Sequence, residues 1–185
     1  MSLYNEDGSL TDEAAQNALS FLFAKRHEEK YVLDACCGSR MFYYEKQSPN
    51  VLFMDIRDGD FPLTNGKVVS VHPDVVASFE DMPFAGESFR VVIFDPPHLW
   101  SAGPRSDMTK TYGGLSRGWQ EGIRNGFREC FRVLQPSGLL LFKWCETDIK
   151  LATVLELAPY RPLLGTRTKV QTAFTVFLKE EIYRK

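Results

Sequence analysis

The chain has 185 residues, 44% of them hydrophobic and 25% charged, with a net charge of −2. That length predicts one domain, spanning 1–185, with a full core, and the composition is that of an ordinary water-soluble globular protein. The charge balance excludes a protein that draws nucleic acid to its whole surface, so any polyanion must meet a local basic patch.

Residues 1–10 are polar and are expected to be loose. Thr11, with Asp12 and Glu13 behind it, predicts a helix start, and Ala14, Ala15, Ala18, Phe21, Leu22 and Ala24 carry an apolar stripe up to the charged run 25–30. Residues 31–34 read as a buried strand that runs into Ala35-Cys36-Cys37-Gly38-Ser39-Arg40. A strand that ends in an acid, then small residues and a glycine, makes room for a bound nucleotide. Residues 51–55 predict the next strand, again closed by an acid. Asp55 is placed to accept both hydroxyl hydrogens of a ribose; taken alone, it reads better as a solvated residue entering the turn at 57–60. Three strand-end acids, Asp34, Asp55 and Asp95, together favour the binding role.

Residues 57–73 form an insertion in which Asn65-Gly66 predicts a hairpin or loop. A short strand follows at 75–78. The run Val91-Val92-Ile93-Phe94 predicts a buried parallel strand, and the chain then breaks into Asp95-Pro96-Pro97-His98. The first proline pushes Asp95 into an extended conformation, and neither proline offers an N–H. The Asp95 carboxylate and the carbonyls of Asp95 and Pro96 are left as acceptors where ligands of open α/β sheets bind, outside the carboxyl ends of the strands. Such a cluster suits an amino group, which donates two hydrogens from one atom.

Residues 101–114 read as a long loop, expected to be a lid or to contact substrate. Ser116 is expected to cap a long helix whose Trp119, Ile123, Phe127 and Phe131 face the sheet. Arg124, Arg128 and Arg132 form a second stripe that reads as a solvated face. Pro136-Ser137-Gly138 predicts a turn into a strand at 139–144, residues 147–157 a further helix, and 162–168 and 171–179 two final strands joined at 167–169.

Asp95-Pro96-Pro97-His98 resembles the Asp/Asn-Pro-Pro-aromatic motif of the class I S-adenosylmethionine-dependent amino-methyltransferases, which methylate adenine, cytosine or glutamine amide nitrogens. Asp34-Ala35-Cys36-Cys37-Gly38-Ser39 resembles the Asp-x-x-x-Gly-Ser loop with which that family holds the methionine part of its cofactor. Arg40 stands where the family usually has glycine, so either the loop sits less tightly or Arg40 turns outward. Residues 79–84 are similar to the segment that closes over the adenine ring, with Ser78 where an acid often binds the adenine amino group. Residues 136–144 resemble the family's proline-glycine turn and fifth strand, with Ser137 replacing a glycine.

The resemblance spans roughly residues 30 to 180. It implies a Rossmann-like α/β fold: a mostly parallel seven-stranded sheet with a reversed edge strand and helices on both faces. It implies S-adenosylmethionine held by Asp34, Ala35, Cys36, Gly38, Ser39, Asp55, Ile56, Ser78 and Phe79, and a catalytic set of Asp95, Pro96, Pro97 and His98. The expected acceptor is an exocyclic amino nitrogen of a nucleic-acid base, adenine first, in DNA or RNA, with His98 stacked on the ring. Other acceptors stay open. A protein glutamine or a small molecule suits the same motif, and Lys143 with Asp95 is similar to the lysine–aspartate pairing of ribose-directed RNA methyltransferases, although those do not require the Pro-Pro step. The reading from another class is a noncatalytic cofactor-binding subunit. Target recognition falls to residues 57–73 and 101–114 or to a partner subunit.

The four cysteines, Cys36, Cys37, Cys130 and Cys145, lack knuckle spacing, and the histidines lie far apart, so neither a metal site nor a disulfide framework is expected. Free thiols in apolar runs fit a reducing compartment. With no basic-then-apolar leader and no membrane-length apolar run, a cytoplasmic protein without membrane contact is expected.

Overall fold

The computed structural model describes residues 30–103, 105–166 and 171–185. The loose segment 1–10, the helix expected after Thr11 and the turn at 167–169 lie outside these residues. The strands are β1 (Val32–Asp34), β2 (Val51–Asp55), β3 (Gly59–Pro62), β4 (Val68–Val71), β5 (Val75–Val76), β6 (Phe89–Phe94), β7 (Leu134–Cys145), β8 (Leu164–Gly165) and β9 (Thr172–Leu178). The helices are α1 (Asp107–Tyr112), α2 (Trp119–Val133) and α3 (Leu151–Leu155).

Seven strands form one sheet in the order β5-β2-β1-β6-β7-β9-β8. The first five are parallel, and β9 runs antiparallel to both β7 and the edge strand β8. Strand β2 is buried throughout, and β1 and β6 are buried toward their carboxyl ends, as the central strands of a parallel sheet are. Strand alternation sends Leu33, Leu52, Val92, Phe94, Leu140 and Phe142 to one face, where they join the main core. The same two-residue period sends Asp34, Asp55, Asp95 and Lys143 to the other face. The sheet thus gathers all three acids on one side of its carboxyl edge.

Helix α2 buries Ile123, Phe127, Cys130 and Phe131, with the Phe127 ring 4.9 Å from that of Phe142 and 5.4 Å from that of Phe94. Gly126 allows this approach: a Cβ there would lie 2.6 Å from Phe94 and 2.7 Å from Phe79. The helix starts at Gly118 (φ 82°), without a side-chain cap. Ser116 instead accepts the Trp119 N–H through its backbone carbonyl at 3.1 Å, one turn before the helix.

The arginine stripe divides. Arg124 and Arg128 are exposed, but Arg132 pairs with the buried Glu129 at 2.6 Å and donates to the carbonyls of Phe84 (2.7 Å) and Met82 (2.9 Å). Glu129 also accepts the Met82 N–H at 2.9 Å. This clamp pins residues 82–84 to α2, a long-range task that helical spacing does not reveal.

Three further elements depart from the sequence reading. The expected turn at 136–138 is a bulge inside the longer β7, with Ser137 at φ 59° and a register shift opposite Phe89 and Val91. The helix expected from 147 to 157 shrinks to Leu151–Leu155 because its first residues are engaged elsewhere. Asp148 accepts the Trp100 and Ser101 N–H groups at 2.7 and 2.9 Å, and Ile149 C=O accepts Trp144 Nε1–H at 2.9 Å. The expected loop at 101–114 contains α1, capped by Ser106, which accepts the Thr109 N–H at 3.1 Å.

The insertion folds as the antiparallel β3–β4 hairpin, turning at Asn65-Gly66 with Gly66 at φ 81°. Hairpin and α1 are tied together. The Thr64 N–H donates to Asp107 at 3.1 Å, joined by the Thr64 hydroxyl, and Lys110 Nζ donates to Pro62 C=O at 2.7 Å. The two segments make one roof over the carboxyl edge of the sheet.

Candidate functional site

Asp34 closes β1 inside the protein, fully buried. It accepts the Cys36 N–H at 3.2 Å and the Tyr43 hydroxyl at 2.9 Å, and so shapes the loop after β1 from below. Burial pushes its carboxyl up to about 7; the Tyr43 and Cys36 hydrogen bonds pull it down, and the nearby Asp95 and Asp55 push it further up. Cys36 and Cys37 sit in the same acidic, buried surroundings, which push both thiols up, Cys37 to about 12. They are poor nucleophiles.

Arg40 takes φ 56°, the conformation glycine adopts most easily. Its side chain turns outward, donating to Lys46 C=O and His72 C=O at 2.7 Å each and lying 3.8 Å over the Phe53 ring. The loop therefore keeps its left-handed step without a glycine.

Asp55 closes β2. It accepts the Gly38 N–H at 2.9 Å, the Arg57 N–H at 2.9 Å and the Arg57 Nε–H at 3.2 Å. A cavity opens beside it, and a second, smaller one adjoins the first. The larger, about 350 Å³, is walled by Ala35, Cys36, Asp55, Ile56, Phe79, Asp95 and Pro97, and by Phe61, Thr109, Lys110, Tyr112, Gly113 and Gly114 of the roof. The smaller, about 180 Å³, is walled by Cys36, Gly38, Ser39, Met41, Phe42, Arg57, Asp95, Pro96, His98, Tyr112 and Lys143, among others. Cys36, Arg57, Asp95 and Tyr112 belong to both walls, so the cavities adjoin.

Asp95 stands at that shared wall, and Lys143 Nζ reaches its Oδ2 at 2.5 Å from the neighbouring strand. Burial pushes the Asp95 carboxyl up, and the Lys143 ammonium holds part of that back. Among the described residues no backbone N–H outside the strand ladders donates to the Asp95 or Pro96 carbonyl. His98 is buried, its ring 5.9 Å from Tyr112 and 6.3 Å from Trp144. Burial, then Lys143, pulls its imidazole below the usual value, with Asp148 opposing them, which favours the neutral ring.

Of the residues expected at the site, Ala35, Cys36, Gly38, Ser39, Asp55, Ile56, Phe79 and residues 95–98 line one cavity or the other. Asp34 and Ser78 line neither; the Ser78 hydroxyl accepts the Glu80 N–H at 3.2 Å in a local turn. Arg57, Phe61 and Tyr112 lie in segments expected to contact substrate but were not singled out, and Met41 and Phe42 were missed. Nothing local marks these individual residues, because their neighbourhood is created by the roof and by the loop after β1. Among the described residues no group of three or more His, Cys, Asp or Glu side chains is placed to hold a metal, and no helix is long and apolar enough to cross a membrane.

No family model matches the chain, and no curated protein matches it in sequence. Among solved structures it is similar to the PH0226 protein of Pyrococcus horikoshii OT3, at 15% identity and a TM-score of 0.54 over 97% of this chain and 96% of that one. It is also similar to a TehB-like SAM-dependent methyltransferase of Corynebacterium glutamicum ATCC 13032, at 16% identity and a TM-score of 0.52 over 89% of this chain and 87% of that one. The Rossmann-like fold, a mostly parallel seven-stranded sheet with β9 reversed, is thus one that S-adenosylmethionine-dependent methyltransferases adopt.

Proposed function

We propose that the chain is an S-adenosylmethionine-dependent methyltransferase acting on an exocyclic amino nitrogen of a nucleic-acid base, adenine first. The observation that carries this reading is Asp95 at the wall shared by the two cavities, with Pro96 beside it on the wall of the smaller one. The larger cavity suits the cofactor. Asp55 and the exposed Ile56 lie at the end of β2, where a ribose binds in doubly wound sheets, and Phe79 offers an apolar face to an adenine ring. Ala35 and Cys36 wall the larger cavity near the sulfonium, and Gly38 and Ser39 of the same loop wall the adjoining smaller cavity. When bound, the cofactor supplies a methyl activated on sulfur.

The protein's own part is position and electrostatics. An exocyclic amine on a base is a weak nucleophile because its lone pair is delocalised into the ring. Its two N–H groups donate to the Asp95 carboxylate and the Pro96 carbonyl, which favours a tetrahedral nitrogen and frees the lone pair toward the larger cavity. Tyr112 and His98 wall the smaller cavity and hold the ring. Lys143 occupies Asp95 Oδ2, so Oδ1 is the oxygen left for the amine. Positioning of this kind supplies most of the rate. A base in a duplex must first leave the stack, which is cheapest from a single strand.

The Lys143–Asp95 contact favours a second reading. An ammonium beside a carboxylate at the acceptor wall also suits a hydroxyl acceptor such as the RNA ribose, whose oxygen gains nucleophilicity as its proton is drawn away.

One experiment separates the two. Labelled S-adenosylmethionine is offered with single-stranded DNA, duplex DNA, bulk RNA and cell protein to the wild type, Asp95→Ala and Lys143→Met. The expected result is label on a base amino nitrogen, reduced about 10²-fold or more by Asp95→Ala and far less by Lys143→Met. Label on a ribose oxygen, lost in both variants, establishes the second reading. Transfer at the original rate by Asp95→Ala overturns both.

A further inference from the structure

Asp55 is the acid that the proposed function gives to the cofactor ribose, yet its carboxylate is already engaged. Oδ1 accepts two hydrogens from Arg57, the backbone N–H at 2.9 Å and Nε–H at 3.2 Å. Oδ2 accepts the Gly38 N–H at 2.9 Å, with Arg57 Nη2 standing 3.5 Å away. A carboxylate offers about four acceptor positions, so the one remaining lies on Oδ2. A ribose diol that donates one hydrogen to each oxygen needs a second, on Oδ1. Of the donors present there, only the Arg57 side chain can leave without rebuilding the backbone at the end of β2.

That side chain is also the tie between the sheet and the roof. Arg57 Nη1 donates to Lys110 C=O of α1 at 3.1 Å, and the guanidinium carbon lies 5.8 Å from the Phe61 ring of β3. The Thr64–Asp107 and Lys110–Pro62 bonds make hairpin and α1 one body. Gly113, at the end of α1, sits so close to the Pro-Pro step that a Cβ there would lie 2.9 Å from the Pro97 ring. A change at Arg57 therefore reaches the acceptor wall through the roof.

We propose that Arg57 is a positioning residue that links the ribose site to the roof: its side chain competes with the ribose diol for Asp55, so cofactor entry exchanges one for the other and slackens the roof. This rests on the reading of Asp55 as the ribose acid. The exchange releases the roof from its anchor on the sheet, and the acceptor then enters second, past α1.

The test uses the full chain and two known ligands. S-adenosylmethionine and S-adenosylhomocysteine are titrated by calorimetry into the wild type, Arg57→Met, Arg57→Lys and Asp55→Asn. Amide deuterium exchange is followed with and without S-adenosylhomocysteine. Methionine keeps the apolar stem and removes every donor, so Arg57→Met is expected to bind about three- to tenfold tighter than the wild type, the competing arrangement being gone. The product is expected to speed exchange at residues 62–64 and 107–113 in the wild type and to change it little in Arg57→Met.

A merely structural arginine gives the opposite sign, weaker binding in the variant. That result, or equal affinity with unchanged exchange, overturns the inference. Arg57→Lys keeps the charge but cannot hold Asp55 and Lys110 together, and is expected to fall between; it keeps the test decisive if Arg57→Met fails to fold. Binding that Asp55→Asn leaves untouched overturns the inference while the methyltransferase reading stands. A wild type that binds neither ligand overturns the cofactor reading itself.

Discussion

Asp34 and Arg40 show how far a single side chain can stray from what its neighbours in sequence suggest. Asp34 takes its two hydrogen bonds from neutral donors deep in the sheet, and burial raises its carboxyl from an ordinary 3.8 to about 7. The folded state therefore binds more protons than the unfolded chain between those two values. Stability is expected to fall as pH rises through that window, with a slope approaching about 1.4 kcal/mol per pH unit, and to level off above it. Asp34→Asn, which cannot ionise, is expected to remove this slope. Urea unfolding at pH 5 and pH 8 checks it, and an equal loss in both proteins would place the titrating group elsewhere. Arg40 holds a backbone conformation that favours glycine. Its outward turn was one of two outcomes legible beforehand, and the carbonyls of Lys46 and His72 decided between them.

At the scale of elements, periodicity carries information only when an element is long or buried. The strands β2 and β6 and the helix α2 each present a continuous apolar run or stripe, and each appears where that pattern places it. Helix α1 has six residues and no buried side chain, so no stripe exists to be read. The join between α2 and the site is Gly126, whose missing Cβ leaves room for the Phe79 ring that walls the larger cavity. Gly126→Ala gains roughly 1 kcal/mol of helix propensity but forces two aromatic rings to move. A net loss of about 1–2 kcal/mol is expected from such overpacking. Cofactor affinity should fall as well, because Phe79 is one of the displaced rings. Thermal unfolding and S-adenosylhomocysteine titration of the variant test both; a stabilised variant with unchanged affinity would show that the helix shifts freely.

For the molecule as a whole, the site is an edge of the sheet closed by a roof, so a ligand that binds there only in the folded state should stabilise the fold against global unfolding. S-adenosylhomocysteine at 100 times its Kd is expected to add about 2.7 kcal/mol. For a chain of this size that raises Tm by about 5–10 °C; no shift at saturating ligand would argue against a site in this cleft. The sequence by itself determined the sheet and its polar edge. Apolar runs ending in acids dictate parallel strands, and a two-residue period dictates that Asp34, Asp55 and Asp95 share a face, both properties of chain neighbours. Only the tertiary structure decided which acids remain open to a ligand. Asp34 is sealed beneath its loop, Asp55 is shared with Arg57, and Asp95 is held by Lys143. The pairing of the hairpin with α1 was likewise hidden, because Thr64 and Asp107 lie 43 residues apart. Contacts of that separation arise when the chain closes on itself, and no local pattern of hydrophobicity or turn chemistry encodes them.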